Sequence, residues 1–283
     1  MRNLYMEDAR DYVSVVRRVL NESTHRSPRG LPTRDLGATT ITLFNPRKAM
    51  PLGIGRNLNP AIGAVEAAQL IGSVSRPKTV LRVAPQFEKY AEKNGHFHGA
   101  YGARIGGQML CVERKLRADP DTRQAVVTLW DPWLDNLDGA RDYPCTVALN
   151  FFTRDGKLEM NTLMRSNDVW LGLPYDLFQF TQLQLSLANA LACDIGYYYH
   201  TVWSLHLYER DVPKATMFIN MDTEPPKQDY DDIFQPRGFG SLGQSFAPIS
   251  QTARHVLDDT ADIKTLTQSE RWYRDQLHTP KLG

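Results

Sequence analysis

Residues 177–192 constrain this chain more than any other stretch. Leu177 to Ala192 is the longest uninterrupted apolar pattern in the sequence and predicts a helix. A helix without a broad polar face must be enclosed by other elements, so it should lie at the centre of the fold. Ahead of it, Thr146–Thr153 and Lys157–Leu163 read as strands joined by Arg154-Asp155-Gly156, a hairpin signal. After it, Tyr197–Tyr208 and Thr216–Met221 return to strand character. Further upstream, residues 4–20 place Tyr5, Ala9, Tyr12, Val16, Val19 and Leu20 at helical spacing. The Ser-, Arg-, Pro- and Gly-rich segment 21–37 reads as a loop, and Ala38–Phe44 as a strand. Pro60–Ile71 reads as a helix with proline in its first turn. A second helix is predicted over Pro85–Lys93, stopped by Asn94-Gly95, and another strand over Ala125–Trp130. Helices and strands are mixed without a regular βαβ alternation, which predicts an α+β fold.

At 283 residues the chain can bury a substantial core. We read residues 1–283 as a single catalytic domain, with about 222–283 as a divergent C-terminal extension. Composition there shifts toward Pro, Asp, Gly and Gln, and then to a polar, helical tail over Asp259–Leu277. That tail could cap the fold, cover a site or pack on a partner. A net charge of +1 supplies no general attraction for nucleic acid or a membrane surface. Cys111, Cys145 and Cys193 form neither a CxxC pair nor a metal-ligand spacing, so no metal is expected. Sparse free thiols and the absence of a signal pattern or long apolar run predict a cytoplasmic chain.

The chemistry concentrates in two segments. Cys145 stands in Tyr143-Pro144-Cys145-Thr146, and a polar run, Arg165-Ser166-Asn167-Asp168-Val169-Trp170-Leu171-Gly172-Leu173-Pro174-Tyr175-Asp176, follows. A cysteine after proline at the head of an apolar strand, taken alone, suits a small core residue as well as a nucleophile. Together, the two segments resemble the signature of the thymidylate synthase family, whose members attach a one-carbon unit to C5 of a pyrimidine nucleotide. The resemblance covers roughly Val13 to Met221 and is densest from Asp119 to Tyr208. It implies a mixed sheet flanked by helices, packed sheet-to-sheet in a homodimer. It also implies 5,10-methylenetetrahydrofolate as co-substrate.

The resemblance assigns roles residue by residue. Cys145 would add to C6 of the base, making C5 nucleophilic. Arg165 and Ser166 would hold the phosphate, since guanidinium and hydroxyl donors match its oxygens. Arg123, in Asp119-Pro120-Asp121-Thr122-Arg123-Gln124, would reach the neighbouring subunit's phosphate across the dimer. Gln124 stands where the family has a second arginine. Arg34, in Pro32-Thr33-Arg34-Asp35-Leu36-Gly37, would be a further phosphate contact, with Arg29 as competitor. Glu66, within Ala64-Val65-Glu66-Ala67-Ala68, would order water and move protons, or else mark a solvent-facing turn. Tyr101 would stand near the departing C5 proton. His206 and Tyr208 alternate along one strand and would contact the sugar. Asp168 would hold the pterin ring, with Phe87 and Tyr90 beside substrate and folate. Thr146, Met164 and Ser204 replace polar family residues, and the C-terminal region departs from the family's short tail.

Asp176 carries the specificity argument. The family's uracil-directed members have asparagine here, and its cytosine-directed members aspartate. Uracil offers an N3–H donor and an O4 acceptor, which an amide satisfies; cytosine offers the reverse. A carboxyl sharing one proton with N3 can also accept from the cytosine amino group. Asp176 could equally cap a helix starting at Leu177. The expectation is a dCMP 5-hydroxymethylase, with no nucleic acid or membrane partner, in a bacterial or phage-infected cytoplasm. Alternatives are a cytidylate C5-methyltransferase using folate hydride, a CMP hydroxymethylase, or a catalytically dead relative that binds nucleotide or RNA.

Overall fold

The computed structural model describes residues 1–50, 56–221 and 238–279. Its frame is one mixed sheet in the order β1-β3-β8-β6-β5-β4: β1 (Arg2–Met6), β3 (Thr33–Leu43), β8 (Asp194–Tyr208), β6 (Lys157–Met164), β5 (Thr146–Arg154) and β4 (Val126–Thr128). β2 (Thr24–Arg26) pairs with β3, and the two-residue β7 (Asn167–Asp168) pairs with β8. β1 runs parallel to β3, and β6 parallel to β8; the β3–β8 and β5–β6 pairs are antiparallel. The β5–β6 turn places Asp155 and Gly156 at φ 50° and 73°, the left-handed pair that a tight hairpin demands.

Helices cover one face. They are α1 (Tyr12–Glu22), α2 (Pro60–Gly72), α3 (Pro77–Val83), α4 (Tyr101–Ile105), α5 (Gln108–Ala118), α6 (Pro132–Asp135), α7 (Leu173–Leu191), α8 (Val212–Asn220), α9 (Phe246–Leu257) and α10 (Gln268–His278). As predicted from its apolar run, α7 is enclosed almost throughout, and it packs between α2 and the sheet. Several of its buried polar groups find partners on neighbouring segments: Gln184 Nε2 donates to Leu158 O (2.9 Å), and Ser186 Oγ accepts from Phe239 N (2.8 Å). The C-terminal helices pack on α2 and α7. Phe239 and Tyr273 stack with ring centroids 4.5 Å apart, and Tyr273 donates to Gln182 Oε1 (3.2 Å). The tail therefore caps the fold. Residues 222–237 of the extension lie outside the described residues.

Several sequence expectations fail locally. Residues 2–6 form a strand, because Leu4 and Met6 alternate inward against β3 while Tyr5 faces out. The amphipathic helix starts only at Tyr12, after a 3₁₀ turn capped by Asp8. Within 21–37 the chain pairs as β2 and the start of β3, where a loop was expected. Pro85–Tyr90 forms a 3₁₀ turn shorter than the expected helix, preceded by α3. The β-branched Thr216–Met221 stretch belongs to α8, whose first turn holds Pro213 and which packs against α1. Tertiary packing overrides strand propensity there.

Among the described residues, no helix covers the opposite sheet face. Tyr5, Phe44, Tyr197 and Trp203 are exposed on it or at its edge, with Tyr5 stacked on Phe44 (6.1 Å) and Phe44 edge-on to Tyr197 (5.2 Å).

Candidate active site

The site forms where the starts and ends of β5, β6 and α7 meet the wall of α2. Cys145 immediately precedes β5 and Arg165 immediately follows β6. The Arg165 amide donates to the Cys145 carbonyl (2.8 Å), extending the ladder past the strands. The Arg165 guanidinium donates to the carbonyls of Pro144 (2.9 Å) and Tyr143 (3.3 Å) and lies 5.5 Å from the Trp130 ring centroid. Burial pushes the Cys145 thiol up to about 11. Arg165 and Arg29 draw it back, while Asp176 and Asp142 add to the rise. The neighbouring Thr146 hydroxyl is buried and faces the Tyr101 hydroxyl.

Asp176 lies in the first turn of α7, whose N-cap is Gly172. It therefore does not cap a helix starting at Leu177, because the helix starts at Leu173. Its oxygens are held by two side-chain amides, Asn167 Nδ2 (2.7 Å to Oδ2) and Gln179 Nε2 (2.9 Å to Oδ1). Burial nonetheless lifts its pKa to about 7. Gly172 makes this packing feasible: a Cβ there would stand 2.9 Å from Asn167 Nδ2 and 3.3 Å from Asp176 Oδ2. Glu66 lies on α2 amid alanine, valine and leucine side chains. Burial, and then the Asp176 charge, raise it to about 8. Tyr101 opens α4 and stacks on Phe180 of α7 at 5.9 Å. Burial holds its hydroxyl well above the usual tyrosine range, with Cys145, Asp176 and Glu66 reinforcing the rise. Cys145, Glu66, Tyr101 and Asp176 thus share one desolvated volume.

The sugar and folate candidates lie along β7 and β8. His206 and Tyr208 meet edge-to-face at 5.3 Å. Asp168 sits opposite His206 in the β7–β8 register. Its Oδ1 accepts from the amides of Trp170 (2.7 Å) and Leu171 (3.1 Å), but its buried Oδ2 has no hydrogen-bond partner. An orphaned, buried acceptor of this kind suits an N–H donor such as a pterin ring carries. Phe87 packs against the core, and Tyr90 meets it edge-on at 6.1 Å with its own ring exposed.

The phosphate candidates divide. Arg34 is engaged elsewhere: its Nε donates to Glu209 Oε1 (3.2 Å) and its guanidinium to Leu20 O (3.3 Å). Arg29, the competitor, stands on an exposed turn at φ 53°, and its charge reaches Cys145. Of the two, Arg29 is the one whose charge acts on Cys145. Ser166 lies half-buried after Arg165. Arg123 is exposed beyond α5, and the adjacent Gln124 accepts from Lys115 Nζ (3.0 Å). Arg123 is not brought to this protomer's own cluster by any contact among the described residues.

Three further residues escaped sequence reasoning. Asn167 lies inside the Arg-Ser-Asn-Asp run and could have been read as the partner of Asp176. Asp142 approaches Gly99 so closely that a Cβ would meet its Oδ2 at 2.7 Å, a contact no local pattern signals. Arg56 lies 3.7 Å above the Trp170 ring and donates to the Tyr12 hydroxyl (2.8 Å). Among the described residues no group of three or more His, Cys, Asp or Glu is arranged for a metal ion. No described helix is long and apolar enough to cross a membrane.

Comparison with known proteins places this geometry. A family profile described as Thymidylate synthase matches residues 10–233. The deoxyuridylate hydroxymethyltransferase of Bacillus phage SP01 is 27% identical over 252 residues, covering 80% of this chain and 66% of that protein. The thymidylate synthase of Bacillus licheniformis is 28% identical over 153 residues, covering 50% of this chain and 54% of the synthase. The chain thus spans just under two thirds of the phage relative and about half of the synthase.

Proposed function

The chain belongs to the thymidylate synthase family, and on that premise we propose that it is a one-carbon transferase that hydroxymethylates deoxycytidylate. The observation that carries the reading is Asp176. A carboxyl, held by Asn167 and Gln179, stands in the same buried volume as the Cys145 thiol. The donor pattern of cytosine suits such a carboxyl: N3 shares its proton and the amino group donates to the second oxygen. The nucleotide phosphate meets Arg165, Arg29 and Ser166, and the sugar meets His206 and Tyr208.

Cys145 then loses its proton and adds to C6 of the ring, and C5 becomes nucleophilic. 5,10-Methylenetetrahydrofolate is the source of the one-carbon unit, and Asp168 Oδ2 is the acceptor that fits its ring. C5 bonds to that one-carbon unit, the C5 proton leaves beside Tyr101, and tetrahydrofolate departs, which leaves a methylene group at C5. Glu66, near 8, is poised to take a proton from water and direct it at the exocyclic carbon. Addition of that water and departure of Cys145 give 5-hydroxymethyl-dCMP. The exposed aromatic sheet face supports a homodimer in which Arg123 reaches the neighbouring subunit. We read residues 1–283 as one catalytic unit acting in the cytoplasm.

A second reading has its own support. At about 7, Asp176 is readily protonated, and a neutral carboxyl presents one donor and one acceptor, as an amide does. That form could accept deoxyuridylate, the nucleotide in the phage relative's name.

Tritium release from 5-tritiated dCMP, dUMP and CMP with methylenetetrahydrofolate separates the readings, with Cys145→Ala as control. Release from dCMP, no rise in dihydrofolate absorbance and a hydroxymethyl product by mass are expected. A dihydrofolate rise would move the assignment to a methyltransferase. Preference for dUMP would favour the second reading, and preference for CMP a ribonucleotide enzyme. Silence on all three would point to a non-catalytic binding protein.

A further inference from the structure

Behind Asp176 runs a line of buried polar side chains that the proposed reaction does not use. Asn167 Nδ2 donates to Asp176 Oδ2, and Asn167 Oδ1 stands 3.0 Å from His200 Nε2. His200 Nδ1 is 2.8 Å from the Tyr198 hydroxyl, which is 3.0 Å from Thr162 Oγ1. Thr162, Tyr198 and His200 are fully buried, and Asn167 nearly so. Thr162 belongs to β6, Tyr198 and His200 alternate inward on β8, and Asn167 opens β7.

The protons along this line can be ordered in only a few ways. With its amide nitrogen turned to Asp176, Asn167 offers its oxygen to His200, so His200 must carry a proton on Nε2. Burial keeps His200 neutral, its pKa pushed down to about 3, which leaves Nδ1 as an acceptor. The one proton of Tyr198 then faces two acceptors, His200 Nδ1 (2.8 Å) and Thr162 Oγ1 (3.0 Å), so the hydroxyl donates to both as a three-centre bond. If the Asn167 amide were flipped, its oxygen would face Asp176 Oδ2, an arrangement tolerable only with a protonated carboxyl. The amide orientation and the charge of Asp176 are therefore linked, and the orientation is decided at the far end of the chain.

We propose that Thr162, Tyr198, His200 and Asn167 are positioning residues for Asp176. They hold the Asn167 amide with its nitrogen toward the carboxylate and so set the hydrogen-bonding pattern offered to the pyrimidine. The inference rests on reading Asp176 as the residue that contacts the base. Other titratable groups facing Asp176 are Glu66 from α2, Tyr101 from α4 and Cys145 at the head of β5. Only Glu66 among these titrates near neutrality.

The test follows the carbon signal of carboxyl-labelled aspartate in the substrate-free protein across pH, with Asp176 assigned by its loss in Asp176→Asn. Glutamates are unlabelled, so Glu66 does not interfere directly. Tyr198→Phe and His200→Phe remove links of the chain. His200→Gln restores an N–H donor near the place of Nε2. The Asp176 midpoint should rise in both Phe variants by roughly one pH unit, a tenfold change in proton affinity, and stay near the wild-type value in His200→Gln. The ratio of kcat/KM for dCMP over dUMP should fall about tenfold in the same two Phe variants. Unchanged midpoints and ratios in folded Tyr198→Phe and His200→Phe would overturn the proposal. Should His200→Phe fail to fold, Tyr198→Phe, which loses a single oxygen, decides alone. A wild-type enzyme preferring dUMP would sink the substrate reading, while the titration would still judge the chain.

Discussion

The backbone amide of Arg165 donates to the carbonyl of Cys145 over 2.8 Å, so nucleophile and cation are pinned to one another across the β5–β6 pair. The guanidinium is fixed in turn by the carbonyls of Tyr143 and Pro144. A preset positive charge beside a buried thiol offsets part of the cost of forming its thiolate.

Arg165→Lys keeps the charge and loses the fork that spans two carbonyls. We expect Cys145 alkylation by iodoacetamide at pH 8 to slow about tenfold, with a higher KM for the nucleotide. An unchanged alkylation rate would show that Arg165 does not tune the thiol.

Arg29→Ala and Arg34→Ala should part company. The first should raise the KM for nucleotide with little change in thermal stability. The second breaks the contacts to Glu209 and Leu20 and should cost about 1 kcal/mol of stability with a smaller effect on KM. Steady-state kinetics beside thermal melts would reveal the reverse pattern if Arg34 binds the phosphate.

Glu66 has a raised folded-state pKa, about 8 against an ordinary 4.5. Its contribution to stability is thus complete below about pH 4.5 and is lost as pH rises through 8. Glu66→Gln cannot ionise. It should melt above wild type at pH 8, by about 2 kcal/mol, and level with it near pH 4. Turnover should drop by roughly a hundredfold or more. Equal melting at both pH values would place Glu66 in water.

Asp176→Asn exchanges a carboxyl for an amide in an unchanged frame. Activity should move from dCMP toward dUMP, by about a hundredfold in relative kcat/KM. Retained preference for dCMP would mean that another group reads the base edge.

Gly172→Ala would drive a methyl against Asn167 Nδ2 and near Asp176 Oδ2. We expect a loss of about 1–3 kcal/mol and a fall in activity larger than in a Gly107→Ala control, where a Cβ meets open space. Full activity would show that the Asn167–Asp176 contact is dispensable.

Much of the site was legible because Arg165, Ser166, Asp168 and Asp176 occupy one continuous strand–turn–helix run. Within such a run, spacing alone decides which side chains share an end. The buried α7 was legible too, since a run without a polar face has no solvent-exposed solution. Residues 2–6 were misread because their strand exists only through parallel pairing with β3, a contact distant in sequence. Arg34 and Arg29 could not be told apart in the sequence, because loop residues carry no periodicity to show which way they face.

The sequence by itself determined the chemistry available: a thiol, a guanidinium, a carboxyl where an amide would read uracil, and a strand–helix run to present them. Only the tertiary structure decided which groups share a dry volume. Glu66 and Asp176 come from separate helices, yet the Asp176 charge raises Glu66, and His200 reaches Asp176 through Asn167 across β8 and β7. Desolvation and charge act through space, so their strength follows from distance and burial rather than from separation along the chain.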